Sequence, residues 1–297
     1  MHRRRKAYAY TLASVLLWST VATAFKISLS FMDSATLLFY SSAFSAAALG
    51  GIILFRKQKC KDLRRTALRG AALGCINPFL YYLFLFKAYS LLPAQEAQSL
   101  NFTWPLVLVL LSAVFFHERP GVKDLFSLLV CFFGAWIVSS HGRFTDIHFS
   151  SGPGILLAVG SSVFWSVYWL INRAYRGDKT LLLFFSMAAG TVYCGLYLLF
   201  SGRMVIPPVA GLSAAAYVGC FEMGITFVLW SKALSFAEST AFISNLLYLS
   251  PFLSLLFIST ILGEPVMPST LVGLLLIVGG ILIQKMQLPK SEKSGRL

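Results

Sequence analysis

The chain has 297 residues, of which 57% are hydrophobic and only 12% are charged, and its mean hydropathy is +0.75. A water-soluble domain is far more polar, so this composition excludes an ordinary soluble fold and indicates a polytopic membrane protein. The formal net charge of +14 is carried by residues that lie between hydrophobic runs. No basic face is therefore expected, which excludes nucleic acid as the partner.

Ten apolar runs of about 20 residues follow one another, each long enough for a helix to cross a hydrocarbon core of roughly 30 Å. We number them spans 1 to 10; their approximate ranges are 8–27, 36–55, 68–91, 95–116, 123–140, 154–173, 180–200, 211–234, 238–262 and 269–287. The predicted fold class is an all-α membrane protein with ten transmembrane helices. The alternative for span 1 is a cleavable signal peptide. Trp18 within the run and the charge pattern favour a retained helix.

Basic residues are distributed unevenly between the two membrane faces that ten spans define. With the N-terminus in the cytoplasm, all of the 25 lysines and arginines except Lys26, Lys87, Arg143 and Arg203 lie on the cytoplasmic side. Short cytoplasmic loops are enriched in these residues. The pattern predicts a multi-pass protein of the cytoplasmic (inner) membrane with both termini cytoplasmic.

The residue types that carry metal, redox or nucleotide chemistry do not form motifs. The five cysteines are scattered, no GxxxxGK[ST] occurs, and the loops are too short for a nucleotide-binding domain. An enzyme acting on lipid needs a nucleophile, an acid pair or a metal set near one interface, and the sequence offers none. We expect no metal, no cofactor and no enzymatic activity. A membrane enzyme or a structural assembly protein is the alternative class.

The second half of the chain repeats features of the first. Trp18 and Ser19 recur 147 residues later as Trp165 and Ser166. The KAxS motif at Lys87 recurs 145 residues later at Lys232. Pro105 and Glu118 recur 146 residues later as Pro251 and Glu264. Repeats with an odd number of spans insert in opposite orientations. Residues 1–143 and 150–297 are therefore predicted to be two inverted five-helix repeats around a central cavity.

Glu222 is the sharpest functional candidate, because it lies near the middle of span 8. A charged carboxylate at the bilayer centre costs roughly 2.5 to 3.5 kcal/mol on insertion scales, so it must be neutral, paired or beside water. The corresponding position of span 3 is Asn77, which lies 145 residues earlier. We expect both to face the central cavity, where Glu222 either binds a cationic group or exchanges a proton. The alternative is a hydrogen bond to a neighbouring helix.

Aromatic and amide side chains at matched depths in the two halves complete the candidate substrate site. Residues of these types wall cavities that hold flat rings or quaternary ammonium groups. The candidates besides Asn77 and Glu222 are Trp18, Tyr81, Tyr82, Gln98, Asn101, Trp104, Trp165, Trp169, Asn245 and Tyr248. By contrast, Glu96, Glu118, Glu238 and Glu264 lie at span ends, where helix capping or loop pairing is the expected role. For Lys26 we expect a side chain that extends to the membrane interface.

The repeated Trp-Ser, KAxS and Pro-to-Glu patterns cover nearly the whole chain and resemble the drug/metabolite transporter superfamily of the EamA type. The stretch PAQEAQSLNFTWPLVLVLL from Pro93 is similar to the branch of aromatic-amino-acid exporters. The resemblance implies alternating access, in which spans 3, 4 and 6 rock against spans 8, 9 and 1. The places expected to bend are Pro78, Pro105, Gly224 and Pro251.

Two transport functions follow from these expectations. The first is a secondary transporter for a small amphipathic metabolite, an amino acid with aromatic ones favoured, with proton coupling through Glu222. The alternative is a carrier of an organic cation, choline-like or S-adenosylmethionine-like, held by the aromatic residues and Glu222. The expected partners are a small-molecule substrate and the lipid bilayer, and the chain is expected to be a monomer or a homodimer.

Overall fold

A computed structural model describes residues 2–55, 62–116, 122–142, 150–236, 246–247 and 249–285. Within these ranges the regular structure is helical throughout. The α-helices are α1 (His2–Ser19), α2 (Val21–Leu29), α3 (Ser34–Phe55), α4 (Leu63–Gly74), α5 (Tyr81–Leu91), α6 (Ala94–Asn101), α7 (Trp104–Phe116), α8 (Val122–Ser139), α9 (Gly152–Ala174), α10 (Lys179–Phe200), α11 (Val209–Tyr217), α12 (Thr226–Phe236), α13 (Leu249–Phe257) and α14 (Pro268–Lys285). Three π-helical segments, Cys75–Leu80, Val218–Ile225 and Ile258–Leu262, interrupt spans 3, 8 and 9.

These helices follow the predicted spans in order. Six helical stretches are long and apolar enough to cross a membrane, namely Arg3–Leu29, Ser34–Phe55, Leu63–Leu91, Gly152–Asn172, Lys179–Phe200 and Val209–Phe236. They correspond to spans 1, 2, 3, 6, 7 and 8. Shorter apolar helices supply spans 5, 9 and 10, and α6 with α7 supplies span 4. Span 4 is broken at Phe102 and Thr103, and the next helix begins at Trp104, one residue before Pro105.

Several helices begin at a short polar side chain that the sequence places there for a physical reason. The first backbone N–H groups of a helix have no partner within it, and a carboxylate or hydroxyl at the start accepts from them. Asp33 accepts from the N–H groups of Ala35 and Thr36 at the start of α3, at 2.8 and 3.0 Å. Asp178 and Ser151 do the same for α10 and α9. These caps fix where the spans begin.

The two halves interlock. Span 1 packs against span 8, span 2 against spans 7 and 8, span 3 against spans 6 and 7, and span 5 against span 10. Small residues allow the close approaches: a Cβ on Gly273 would lie 2.6 Å from the carbonyl oxygen of Gly134 in the facing helix. Gly70 and Gly74 approach the backbone of α10 in the same way. Gly279, in contrast, is not at a close approach, because a Cβ there would meet nothing within 4 Å.

The distribution of side chains is that of a membrane protein. Large apolar side chains such as Leu54, Phe55, Val122 and Phe200 are exposed on the outer surface, where lipid is the solvent. The interior holds polar side chains next to the apolar core, including Asn77 and Glu222. Both residues lie on segments that pack against helices of the other half.

Candidate functional site

The π-helical segments of spans 3 and 8 occupy equivalent positions in the two repeats. Cys75–Leu80 contains Asn77, whose φ and ψ of −138° and 113° are not helical, and a cis peptide bond joins it to Pro78. Val218–Ile225 contains Glu222 and Gly224. Segments of this kind are rare and recur at functional sites. The two candidates expected at matched depth therefore both lie on local breaks in their helices.

Glu222 joins three spans. Its side chain is buried, and its Oε1 accepts a hydrogen bond from the hydroxyl of Tyr82 at 3.2 Å. The indole of Trp18 is also directed at this carboxyl group. The geometry leaves Oε2 without a hydrogen-bond partner. One carboxyl oxygen in the interior is thus free to accept a hydrogen bond from a ligand.

Asn77 offers a second set of unused polar atoms. It is fully buried, and neither its amide nitrogen nor its amide oxygen has a hydrogen-bond partner. The hydroxyl of Tyr168 lies beside both Asn77 and Asn172, but Asn172 Oδ1 is likewise unpartnered. Buried amides are normally hydrogen-bonded, so unpartnered ones call for a functional explanation.

Stacked aromatic rings lie next to these polar groups. Tyr81 and Trp165 are stacked with ring centroids 4.6 Å apart, and Trp165 and Tyr168 are stacked at 5.8 Å. Trp165 also contacts Trp104 at 6.5 Å and Phe227 at 5.7 Å. Such centroid distances are typical of favourable ring pairs. We call the group formed by Trp18, Asn77, Tyr81, Tyr82, Trp165, Tyr168 and Glu222 the central site; it draws on spans 1, 3, 6 and 8.

Other candidates lie at the edge of this group. Asn101 donates to the Ser161 hydroxyl at 2.9 Å and accepts from the Tyr81 hydroxyl at 3.5 Å. Trp169 packs edge-on against Trp165, and its buried Nε1 has no partner. Gln98 lies one turn before Asn101 in α6 and is partly buried. It makes no side-chain hydrogen bond to any described residue.

Several expectations fall partly or wholly outside the described residues. Asn245 and Tyr248 lie outside them, as do Glu118 and Glu238. Pro105 belongs to α7, whose start follows the break in span 4. Pro251 is buried in the first turn of α13, and Gly224 lies within the π-helical segment of span 8. All four residues at which bending was expected, including Pro78, therefore lie within an irregular helical segment or near the start of a helix.

The sequence interpretation missed three members of the site environment. Tyr168, Asn172 and Phe227 contact the central residues, yet none of the three is among the residues expected from the sequence. The signal was present for Asn172, because Trp165, Tyr168 and Asn172 are spaced at i, i+3 and i+7 and so share one helix face. Phe227 carries no polar signal and is identified only through its ring contacts with Trp18 and Trp165.

The side chains of this site can bind several kinds of chemical group. Rings can bind an apolar or flat group, Glu222 can accept from a cation, and Asn77 and Trp169 can donate to an anion. Among the described residues no group of three or more His, Cys, Asp or Glu side chains is placed to hold a metal ion.

Comparison with known proteins identifies the chain's relatives. The aromatic amino acid exporter YddG of Ancylobacter novellus is 26% identical over 262 residues, covering 86% of this chain and 88% of the relative. A protein of Streptantibioticus cattleyicolor named as a probable terminal-alkyne amino-acid exporter is 28% identical over 288 residues, covering 94% and 93%. A solved crystal structure aligns at a TM-score of 0.66 and 25% identity, covering 94% of this chain and 96% of the other.

The family assignment covers both halves of the chain. The EamA-like transporter family matches residues 5–140 and again residues 152–284. This match confirms the predicted fold class of ten transmembrane helices arranged as two inverted five-helix repeats, and it confirms the resemblance drawn from the sequence. It also indicates a multi-pass membrane transporter rather than an enzyme. The chain belongs to the EamA-like transporter family.

Proposed function

We propose that the protein is a secondary transporter that moves a small amphipathic amino acid, with an aromatic side chain favoured, by alternating access through the central site. The observation that carries this proposal is the position of Glu222 Oε2, which is buried, unpartnered and beside an aromatic stack. Two relatives named as amino-acid exporters support the same substrate class.

Glu222 is the proposed partner of the substrate's ammonium group. A carboxylate in the membrane interior needs a neutralising partner, and the described residues supply only neutral donors to it. An ammonium group has three N–H donors and is therefore able to bridge Oε2 to neighbouring acceptors. The Tyr82 hydroxyl then fixes the orientation of the carboxyl group through Oε1.

The other end of an amino acid needs hydrogen-bond donors. The Asn77 amide nitrogen and the Trp169 indole nitrogen are buried donors without partners, and both are chemically suited to a carboxylate. The aromatic side chains of the central site, together with Phe227, are proposed to offer the apolar contact for an aromatic side chain. Binding at all three places distinguishes an amino acid from an amine or an acid alone.

Proton coupling follows if Glu222 alternates between two neutralising partners. When the substrate leaves, its ammonium charge leaves with it, and an unpaired carboxylate in the interior is costly. A proton that binds Glu222 at that step removes the cost. Transport of substrate in one direction is then linked to proton movement in the other.

The proposal also covers the arrangement in the membrane. Residues 1–143 and 150–297 are proposed as the two repeats, which is supported by the separate family matches to 5–140 and 152–284. The basic loops support an inner-membrane location with both termini cytoplasmic. The chain is proposed to act as a monomer or a homodimer.

Ligand-dependent thermal unfolding of the purified protein in detergent tests the substrate class. Phenylalanine and tryptophan are expected to raise the unfolding midpoint, because a ligand that binds only the folded state stabilises it by about 2.7 kcal/mol at 100 times its Kd. Glu222→Gln is expected to abolish the increase. Glu96→Gln alters another buried glutamate away from the central site and is expected to retain it.

The comparison ligands give the test its opposing outcomes. Phenylpropionate, which has the ring and the acid but no amine, is expected to give no increase. An increase with choline and none with any amino acid would contradict the proposal in favour of the organic-cation carrier. Proton coupling is tested by transport of phenylalanine into proteoliposomes under an imposed pH gradient. The parent is expected to respond to the gradient and Glu222→Gln is not. An equal response in both would rule out coupling through Glu222.

A further inference from the structure

Hydrogen bonds join the two halves of the transporter at one end of the molecule, away from the central site. The backbone N–H of Ala94, at the start of span 4, donates to both carboxyl oxygens of Glu264 at 3.0 and 3.2 Å. Glu264 follows the end of span 9 in the other half. The contact therefore links two spans that the resemblance places on opposite sides of the rocking motion.

Gln95 makes a reciprocal pair of bonds across the same gap. Its Nε2 donates to the carbonyl oxygen of Pro265 at 2.9 Å, and its Oε1 accepts from the N–H of Met267 at 3.2 Å. A side-chain amide that both donates to and accepts from one stretch of backbone fixes the register of the two chains. Four hydrogen bonds thus connect residues 94–95 with residues 264–267.

Lys26 adds the end of span 1 to this contact. Its half-buried ammonium group donates to the carbonyl oxygen of Leu92 at 2.7 Å, in the turn between spans 3 and 4. The same ammonium group is attracted by the carboxylate of Glu264. The expectation that Lys26 simply extends to the membrane interface therefore does not describe its contacts.

The start of span 4 depends on the other half for its helix cap. α6 begins after Pro93 and has no side-chain cap of its own, and the first N–H groups of a helix need acceptors. A carboxylate at a helix N-terminus is also favoured by the helix dipole. Elsewhere Asp33 and Asp178 supply this from within their own span. At span 4 the acceptor comes from Glu264.

We propose that Lys26, Gln95 and Glu264 form a latch that holds this face of the transporter closed and must release for the central site to open there. Separating spans 4 and 9 breaks all four hydrogen bonds and leaves the start of α6 uncapped. The basic-residue pattern predicts that this is the non-cytoplasmic face. The latch does not depend on which substrate the central site binds.

The accessibility of a cysteine behind the latch tests this proposal. Ala97 is fully buried in α6, one turn beyond Ala94, so Ala97→Cys reports opening. Spheroplasts and inside-out vesicles carrying the full chain are treated with a membrane-impermeant maleimide, and modification of residue 97 is followed by mass spectrometry of its peptide. Adding Glu264→Ala is expected to raise the labelling rate about tenfold, equivalent to about 1.4 kcal/mol in the opening equilibrium, and from one face only.

Three further variants make the outcome specific. Gln95→Ala leaves the Glu264 cap in place and is expected to raise the labelling rate as well. Glu264→Gln keeps an oxygen acceptor and is expected to fall between the parent and Glu264→Ala. Asp33→Ala removes a carboxylate cap that serves only its own span, and it is expected to leave the rate within about twofold of the parent, well short of the tenfold that 1.4 kcal/mol gives.

The opposing results are distinct. Labelling of residue 97 that stays at the parental rate in both Glu264→Ala and Gln95→Ala would overturn the latch. So would an increase in Asp33→Ala as large as that in Glu264→Ala, since that would indicate general loosening of the helix ends. Labelling needs no substrate, so these results are independent of the proposed amino-acid transport.

Discussion

The hydroxyl of Tyr82 and the carboxyl group of Glu222 form a side-chain hydrogen bond between the two halves within the central site. Tyr82 is fully buried, and the bond crosses from span 3 to span 8. Because Oε2 has no partner, the orientation of the carboxyl group depends on this bond to Oε1. Loss of the hydroxyl therefore affects both the stability of the fold and the orientation of the acid.

Tyr82→Phe is expected to lower the free energy of unfolding by about 1 to 3 kcal/mol, the cost of leaving a buried polar group without its partner. The unfolding midpoint in detergent, followed by tryptophan fluorescence, measures the change. Tyr89→Phe is the matched control, because Tyr89 is buried in the same span and its hydroxyl bonds to no described residue. Equal losses in the two variants would show that the Glu222 bond contributes nothing particular.

For single residues, polarity decides which members of the site can be predicted from the sequence. Glu222 and Asn77 stand out because polar residues in apolar spans are costly, and Trp18 and Trp165 stand out through the repeat. Phe227 is one of 26 phenylalanines, and nothing in the sequence separates it from lipid-facing ones. Glu264 was expected to act in helix capping or loop pairing at the end of its span. The helix that it caps begins at Ala94, 170 residues earlier in the chain.

Among the elements, the interrupted helices of spans 3 and 8 are the parts that bring polar atoms to the centre. Asn77 and Glu222 lie on π-helical segments, where the regular bonding pattern changes and side chains are redirected. Pro78 and the proximity of a polar residue signalled the first interruption in the sequence. The second has no proline, so its form was not predictable from local residue preferences.

Spans 5 and 10 form a tight pair through glycine, and this pairing gives an element-scale prediction. Gly273→Ala is expected to destabilise the protein by about 1 to 3 kcal/mol, because the added Cβ lies 2.6 Å from the carbonyl oxygen of Gly134 and backbone must move. Gly279→Ala in the same helix is the control, since its Cβ meets nothing within 4 Å. Thermal unfolding of both variants measures the difference, and a neutral Gly273→Ala would contradict the close approach of the two helices.

For the whole molecule, the two halves share one interior, because each span of the first half packs against spans of the second. Inverted repeats that interlock in this way give two related conformations, one open to each face. The central site lies where the halves meet, and the latch lies at one end of that boundary. The proposed substrate site and the proposed latch thus use separate residues at the boundary between the same two halves.

The orientation in the membrane is predicted from charge and tested on the intact chain. Alkaline phosphatase, which is active only outside the cytoplasm, is expected to be inactive when fused after Leu297 and active when inserted after Arg203, in the turn between spans 7 and 8. The basic arm Arg3–Lys6 and the basic loops oppose translocation. Activity at Leu297 with none at Arg203 would reverse the proposed topology and place the latch on the cytoplasmic face.

The sequence by itself determined the number of spans and the repeat, and it singled out Glu222 as a candidate, because hydrophobic length, periodicity and the cost of buried charge act locally along the chain. Only the tertiary structure decided which atoms of the site are satisfied, which rings stack on Trp165, and that Glu264 caps a helix of the other half. Apart from the stack of Tyr168 on Trp165, those facts depend on contacts between residues far apart in the chain, such as 140 positions for Tyr82 and Glu222 and 170 positions for Ala94 and Glu264. No local pattern specifies the partner of a side chain across such a distance.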